Sequence, residues 1–295
     1  MEGPLHHTVR NWSDLVRAID GTYQIFERLG VSTLRSSRIA AYRQLCHDFA
    51  RAQHNPKNFG LERTTRLLHA AVEVDQLLLI ASAAAENPAV WVTRLEHLIA
   101  GPAFPLEAKR EARARDTQYE CFLAAVAQLA GYCICFNEPD IAVSSNGVNV
   151  GIAAKRPRHI STVQKNCHRA VRQIRSVGGK GIVALDVTTA LFWDFCVNTS
   201  DPIGAKTVVA DLLRKFVDAH ASQLRAECAQ DSIIGVLVTA YAPALVYHAD
   251  GPPTLYTTKV WSAVDLASAE AKDRYWFAQF VSRAHEACFV TPAVQ

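Results

Sequence analysis

The stretch that most constrains this chain runs from Glu138 to Arg156. It reads Glu138-Pro139-Asp140-Ile141-Ala142-Val143, a short polar turn, then Val148-Asn149-Val150-Gly151-Ile152-Ala153-Ala154-Lys155-Arg156. Apolar and β-branched residues on either side of Ser145-Asn146-Gly147 predict two strands joined by a hairpin, because Asn-Gly readily supplies positive φ angles. Side chains alternate along a strand. Gly151, Ala153 and Lys155 therefore share one face, and Val150, Ile152 and Ala154 the other. Both faces are apolar apart from Lys155, which predicts a covered, central strand. The hairpin brings an acid, Asp140, toward a base, Lys155. Such a pair can hold a metal ion and a water beside a phosphate.

The flanking segments supply further groups. A helix is predicted over 106–130, and its second half, from Tyr119 to Ala130, is almost wholly apolar. That half should be buried on most sides. Glu120 lies within it, where a carboxylate costs free energy unless it is paired. The sequence leaves open whether it meets an arginine or is aimed at a metal. Gly131 stops the helix, and Tyr132–Phe136 is the first of three strands. After Lys155 comes a helix over 162–177, stopped by Gly178-Gly179, and then a strand over 181–187.

From Lys155 to Lys180 the chain carries eight basic residues and no acid: Lys155, Arg156, Arg158, Lys165, Arg169, Arg172, Arg175 and Lys180. Lys165, Arg169, Arg172 and Arg175 recur at helical spacing and fall along one face. With Arg156 and Arg158 they form a candidate surface for a phosphate backbone. No aromatic residues interleave them for base stacking, so duplex or structured DNA is the expected partner. Gly178-Gly179-Lys180-Gly181 follows a helix instead of opening one, so it is not a phosphate loop.

In their order these residues resemble the PD-(D/E)XK nuclease superfamily, which includes restriction enzymes and Holliday-junction resolvases. The resemblance covers roughly 108–189. It rests on Glu120 in the preceding helix, Pro139-Asp140, a strand ending in Lys155, a helix carrying Gln173-Ile174, and the Gly-Ile-Val-Ala-Leu-Asp strand that follows. It implies an α/β fold with a restriction-endonuclease-like αβββαβ core, and metal-dependent hydrolysis of a DNA phosphodiester. Asp140 and Glu120 would hold Mg²⁺, or Mn²⁺ in its place. Lys155 would orient the water and steady developing charge, and Gln173 would stand near the site. The chain departs from the family pattern at Ala153, where an acidic ligand is expected. Magnesium keeps several waters and is often held by one or two carboxylates plus substrate phosphates, so Asp140 and Glu120 can suffice. Glu138 is a further substitute. The alternative is a degenerate site that binds nucleic acid or a protein partner without cutting.

The rest of the chain is read as support. Residues 1–103 are predicted as an all-helical N-terminal region, with helices over roughly 13–29, 36–53, 62–86 and 88–100. Such a bundle suits binding to DNA, to a partner or to its own twin as a homodimer, and its sequence does not choose. Gly101-Pro102-Ala103-Phe104-Pro105 marks the boundary to a nuclease-like domain over 104–295, whose C-terminal α/β extension should continue the sheet. The net charge of +3 over 295 residues is too small to name a partner. The longest apolar runs, near 77–85 and 121–130, are short for a membrane span. The first residues lack a secretory pattern, so a cytoplasmic protein with reduced cysteines is expected. Cys133 and Cys135 are spaced too closely for a zinc knuckle. The histidines on the N-terminal helices lack metalloprotease spacing.

Overall fold

The computed structural model describes residues 7–9, 12–31, 34–52, 59–101, 113–145, 147–192, 196–249, 251 and 253–288. Strand β1 (His7–Val9) precedes four helices: α1 (Trp12–Arg28), α2 (Arg38–Arg51), α3 (Leu61–Glu86) and α4 (Pro88–Ile99). Then follow α5 (Arg113–Leu129), the strands β2 (Cys133–Cys135), β3 (Ile141–Ser145) and β4 (Val148–Lys155), α6 (Val163–Val177) and β5 (Lys180–Asp186). The chain continues through α7 (Thr188–Phe192), β6 (Val197–Thr199), α8 (Pro202–Glu227), β7 (Ile233–Val246), β8 (Thr254–Val264) and α9 (Ala271–Ala287).

The local causes are those the residues dictate. Ser37 caps α2, its hydroxyl accepting from the Ala40 amide at 3.3 Å. Asp201 caps α8, accepting from the Ile203 and Gly204 amides at 2.9 and 3.1 Å. Both satisfy amides that a helix start leaves without an intrahelical partner. Pro88 opens α4, where its missing N–H costs nothing. Gly178 ends α6 with a left-handed φ of 77°. Ser145 pairs with Val148 across the hairpin, and Gly147 has φ 78°. The predicted Asn146 of that turn lies outside the described residues.

The eight strands form one mixed sheet in the order β1-β8-β7-β5-β4-β3-β2, with β6 also pairing β7. β4, β5 and β7 run parallel, while β2, β3 and β8 pair antiparallel with their neighbours. Alternation along the strands sends Ile152, Ala154, Ile182 and Ala184 into one apolar cluster, together with residues of α3, α5 and α9. It sends Ala153, Val183 and Leu185 into a second cluster with α6 and α8. The architecture is a helix-covered α/β sheet with a helical N-terminal region, and it follows from strands that are apolar on both faces.

Some details correct or extend the sequence expectation. His7–Val9, within the region expected to be all-helical, forms a strand that pairs antiparallel with β8. Three residues are too few to show a period of two. β7 runs unbroken from Ile233 to Val246, through Pro243. The Tyr241 amide donates to Thr188 Oγ1 at 3.0 Å, on the side facing β5. Pro243, two residues on, turns its nitrogen to that same side. There the β5 ladder has ended at Thr239 and the β6 ladder begins only at Ala244, so no bond is lost. The short α7 and β6, which carry no strong pattern, fill that interval. The first residues of the predicted 106–130 helix, up to 112, lie outside the described residues, as does part of the 101–105 boundary.

α3 is long and apolar enough to cross a membrane by length and composition, but 89% of its most apolar window is buried inside the protein. It packs against α5, and one apolar cluster runs from Leu15 on α1 to Cys288 after α9.

Candidate active site

The site begins with a packing constraint. Pro139, joined to Glu138 by a cis peptide, lays its ring over Gly151. A Cβ at Gly151 would come within 2.6 Å of Pro139 Cδ. Glycine there lets the β3 and β4 ends close together. Ile141 pairs with Ile152, and extending that register by one residue places Asp140 opposite Ala153.

Asp140 is the hub. Its Oδ2 accepts from the Ala154 amide and from Lys155 Nζ, each at 2.8 Å. Lys155 Nζ also donates to the Ala154 carbonyl at 3.0 Å. Gln173 reaches over from α6, its Nε2 donating to Asp140 Oδ1 at 2.8 Å and to Glu138 Oε2 at 2.9 Å. Asp140, Lys155 and Gln173, separated by up to 33 residues in sequence, thus form one hydrogen-bonded group, with Glu138 attached. Gln173 lies on the flank of α6, because Cys167, Ala170, Val171 and Ile174 take the buried face.

Glu120 opens into the same place. A cleft of about 510 Å³ is lined by Asp116, Glu120, Glu138 and Asp140, with Arg94, His97 and Arg113 on its rim. Burial pushes the Glu120 carboxyl up to about 7, and the charge of Asp140 adds to the push. Arg94 and Lys155 offset only part of it. Burial also raises Asp140, against the opposing pull of Lys155 and the Ala154 amide. Asp116 is raised by burial as well, although Arg156, Arg158 and Lys155 lie near enough to oppose it. Arg94 is the partner of Glu120, at 3.4 Å, and its guanidinium also lies over the Phe136 ring at 5.1 Å. Of the two readings of Glu120 left open by the sequence, the arginine partner is present, and the carboxylate also lines the acidic cleft.

Ala153 is completely buried against the α6 side of the sheet. Among the described residues no group of three or more His, Cys, Asp or Glu side chains is placed to ligate a metal. Of the four carboxylates lining the cleft, Glu120 and Asp140 repel one another in a partly buried space. Hard oxygen donors of this kind fit Mg²⁺ or Mn²⁺, which would relieve the repulsion and keep much of its water.

The basic run divides in two. Lys165, Arg169, Arg172 and Arg175 are exposed along α6 and make no ion pair among the described residues. Arg158 is half-buried beside the Asp116 charge. Arg156, expected on the nucleic-acid surface, is instead turned inward. Its side chain is 7% exposed, pairs with Asp186 at 2.8 Å and donates to the Arg115 carbonyl at 3.0 Å. It also faces Glu73 at 3.9 Å. Lys180 is held by Asp273 at 3.0 Å and Glu270 at 3.7 Å. The run lacks acids in sequence, but distant elements deliver them in space.

Asp116 and Arg94 are cleft residues that the sequence did not single out. Asp116 had a signal, because it stands four residues before Glu120 and so shares its helix face. Arg94 had none, being on a separate helix. No protein-family model matches this chain, and no curated protein shows significant similarity to it.

Proposed function

We propose that this protein is a metal-dependent endonuclease that hydrolyses phosphodiester bonds of DNA. The observation that carries the reading is that Asp140 and Glu120 line one cleft, with Lys155 and Gln173 hydrogen-bonded to Asp140 and with an α6 face of lysine and arginine that makes no ion pair among the described residues. The order α5-β2-β3-β4-α6-β5, with β4 parallel to β5 and antiparallel to β3, supports a restriction-endonuclease-like core. Asp140 and Glu120 would hold Mg²⁺ or Mn²⁺. When bound, the ion supplies Lewis-acid stabilisation of the phosphoryl oxygens and lowers the pKa of a water. Lys155 Nζ orients the attacking water and steadies negative charge on the phosphate. Gln173 holds Asp140 Oδ1 and fixes the rotation of that carboxylate. Lys165, Arg169, Arg172 and Arg175 bind the backbone of duplex or structured DNA through charge.

Ala153 favours a second reading, a nuclease-like fold that binds nucleic acid or a protein partner without cutting it. Incubation of supercoiled plasmid with Mg²⁺ or Mn²⁺ separates the two. Metal-dependent nicking is expected for the wild type and should be lost in Asp140→Ala and Lys155→Ala. Absence of nicking with either metal, alongside retained DNA binding, selects the second reading.

A further inference from the structure

The cleft has a second wall that the catalytic reading leaves without a role. It is built by the N-terminal helical region, not by the sheet. On α4, Trp91, Leu95, Leu98 and Ile99 are buried, which leaves Arg94 and His97, one turn apart, facing the cleft rim. Arg113 joins them from the start of α5. Arg94 and Arg113 thus bring cations to the same cleft as the carboxylates of Glu120 and Asp140.

Arg94 is the distinctive member. Lys155 is bound tightly to Asp140, at 2.8 Å, and Arg156 to Asp186, at 2.8 Å. The Arg94–Glu120 contact is longer, at 3.4 Å, which is weak for a charge-assisted hydrogen bond. The Arg94 side chain is 33% exposed and rests on the Phe136 ring. It is therefore held in place by an aromatic face while its ionic partner remains exchangeable. The partner is one of the two carboxylates a metal would take.

We propose that Arg94 is a two-position residue, paired with Glu120 in the metal-free cleft and released to a DNA phosphate when Glu120 engages a divalent cation, so that metal and DNA each favour binding of the other. The proposal rests on the nuclease reading of the cleft. Linkage makes the coupling reciprocal. A guanidinium suits the second position, since its planar donors match a phosphate.

The test uses the full chain and two probes, Mn²⁺ and a phosphorothioate-backbone duplex that resists cleavage. Mn²⁺ affinity is measured by electron paramagnetic resonance without DNA. Duplex affinity is measured by fluorescence anisotropy over a range of salt, in EDTA and in Mn²⁺. In the wild type the salt slope should steepen by about 1 on adding Mn²⁺, the signature of one additional phosphate contact. In Arg94→Gln the steepening should vanish. The same variant, without DNA, should bind Mn²⁺ about fivefold more tightly, because Glu120 has lost its competitor. Arg94→Lys should keep the steepening. A merely structural role would weaken both affinities together. A wild-type steepening of the slope on adding Mn²⁺, or unchanged or weakened Mn²⁺ binding, in Arg94→Gln would overturn the assignment while the nuclease reading stands. If Mn²⁺ binding by the wild type is insensitive to Asp140→Asn, the nuclease reading and the coupling fall together.

Discussion

Glu120 is a group that the fold holds against its own preference. Its pKa is pushed from 4.5 up to about 7 by burial first and by Asp140 second, and its side chain is only 16% exposed. The folded state therefore binds the Glu120 proton more tightly than the unfolded chain does. The resulting penalty is absent below about pH 4.5, grows as pH rises to 7, and is full above 7. At 1.36 kcal/mol per unit it amounts to about 3 kcal/mol. In the metal-free protein Glu120→Gln should therefore stabilise by about that amount at pH 8 and far less at pH 5. Urea denaturation in EDTA at the two pH values measures it, and an equal effect at both would contradict the assignment. The environment of Glu120 was legible because the run from Tyr119 to Ala130 is so apolar. Its partner was not, because Arg94 lies 26 residues away on another helix. The burial of Ala153 was legible too. That position opposes Asp140 and lies in the apolar layer under α6, as expected of a strand apolar on both faces.

At the scale of elements, α6 and the end of β4 divide the basic run by what faces them. The stripe on α6 is exposed, and makes no ion pair among the described residues, because the opposite face, with Val163, Cys167, Ala170, Val171 and Ile174, is the buried one. Arg156 lies one residue beyond the end of β4, where it enters a buried ionic seam. Arg38 pairs with Glu73 at 2.9 Å and donates to the Leu98 carbonyl at 3.0 Å, and Arg115 stands 3.5 Å from Glu73. Burial would raise Glu73, but Arg115, Arg38 and Arg156 together hold it at about 2. Removing Arg156 would leave Asp186 buried and uncompensated. Arg156→Ala should cost about 3–5 kcal/mol of stability. The pair Arg169→Ala and Arg172→Ala should leave the melting temperature nearly unchanged and lower DNA affinity with a shallower salt slope. Reversal of that pattern would move Arg156 back to the binding surface. Helix periodicity made the stripe readable from spacing alone. The fate of Arg156 depended on Asp186 and Glu73, which only the parallel β4–β5 ladder and the packing of α3 bring to it.

At the scale of the molecule, the N-terminal helices and the sheet share a core. α3 buries its apolar run against α5, and the cluster that includes α1 and α3 also includes Ile152, Leu237 and Phe280. The Lys259–Asp75 pair ties β8 to α3, with each side chain 1% exposed. The composition change near Gly101 was legible as a change from helices to a mixed pattern. It did not reveal how much of the sheet's cover the earlier helices supply, since an amphipathic pattern does not name the surface it packs on. A fragment spanning 104–295 would expose that face and the unpaired Lys259. It should fail to fold cooperatively, and a sharp thermal transition with dispersed amide resonances would contradict this.

The central claim is that Asp140 and Glu120 jointly hold one divalent cation. Anomalous diffraction from a crystal soaked in Mn²⁺ tests it most directly. The account predicts a single strong peak in the cleft, about 2.1 Å from a carboxylate oxygen of each residue, and its loss in Asp140→Asn. No peak in the cleft, or one that leaves Glu120 paired with Arg94, would contradict it.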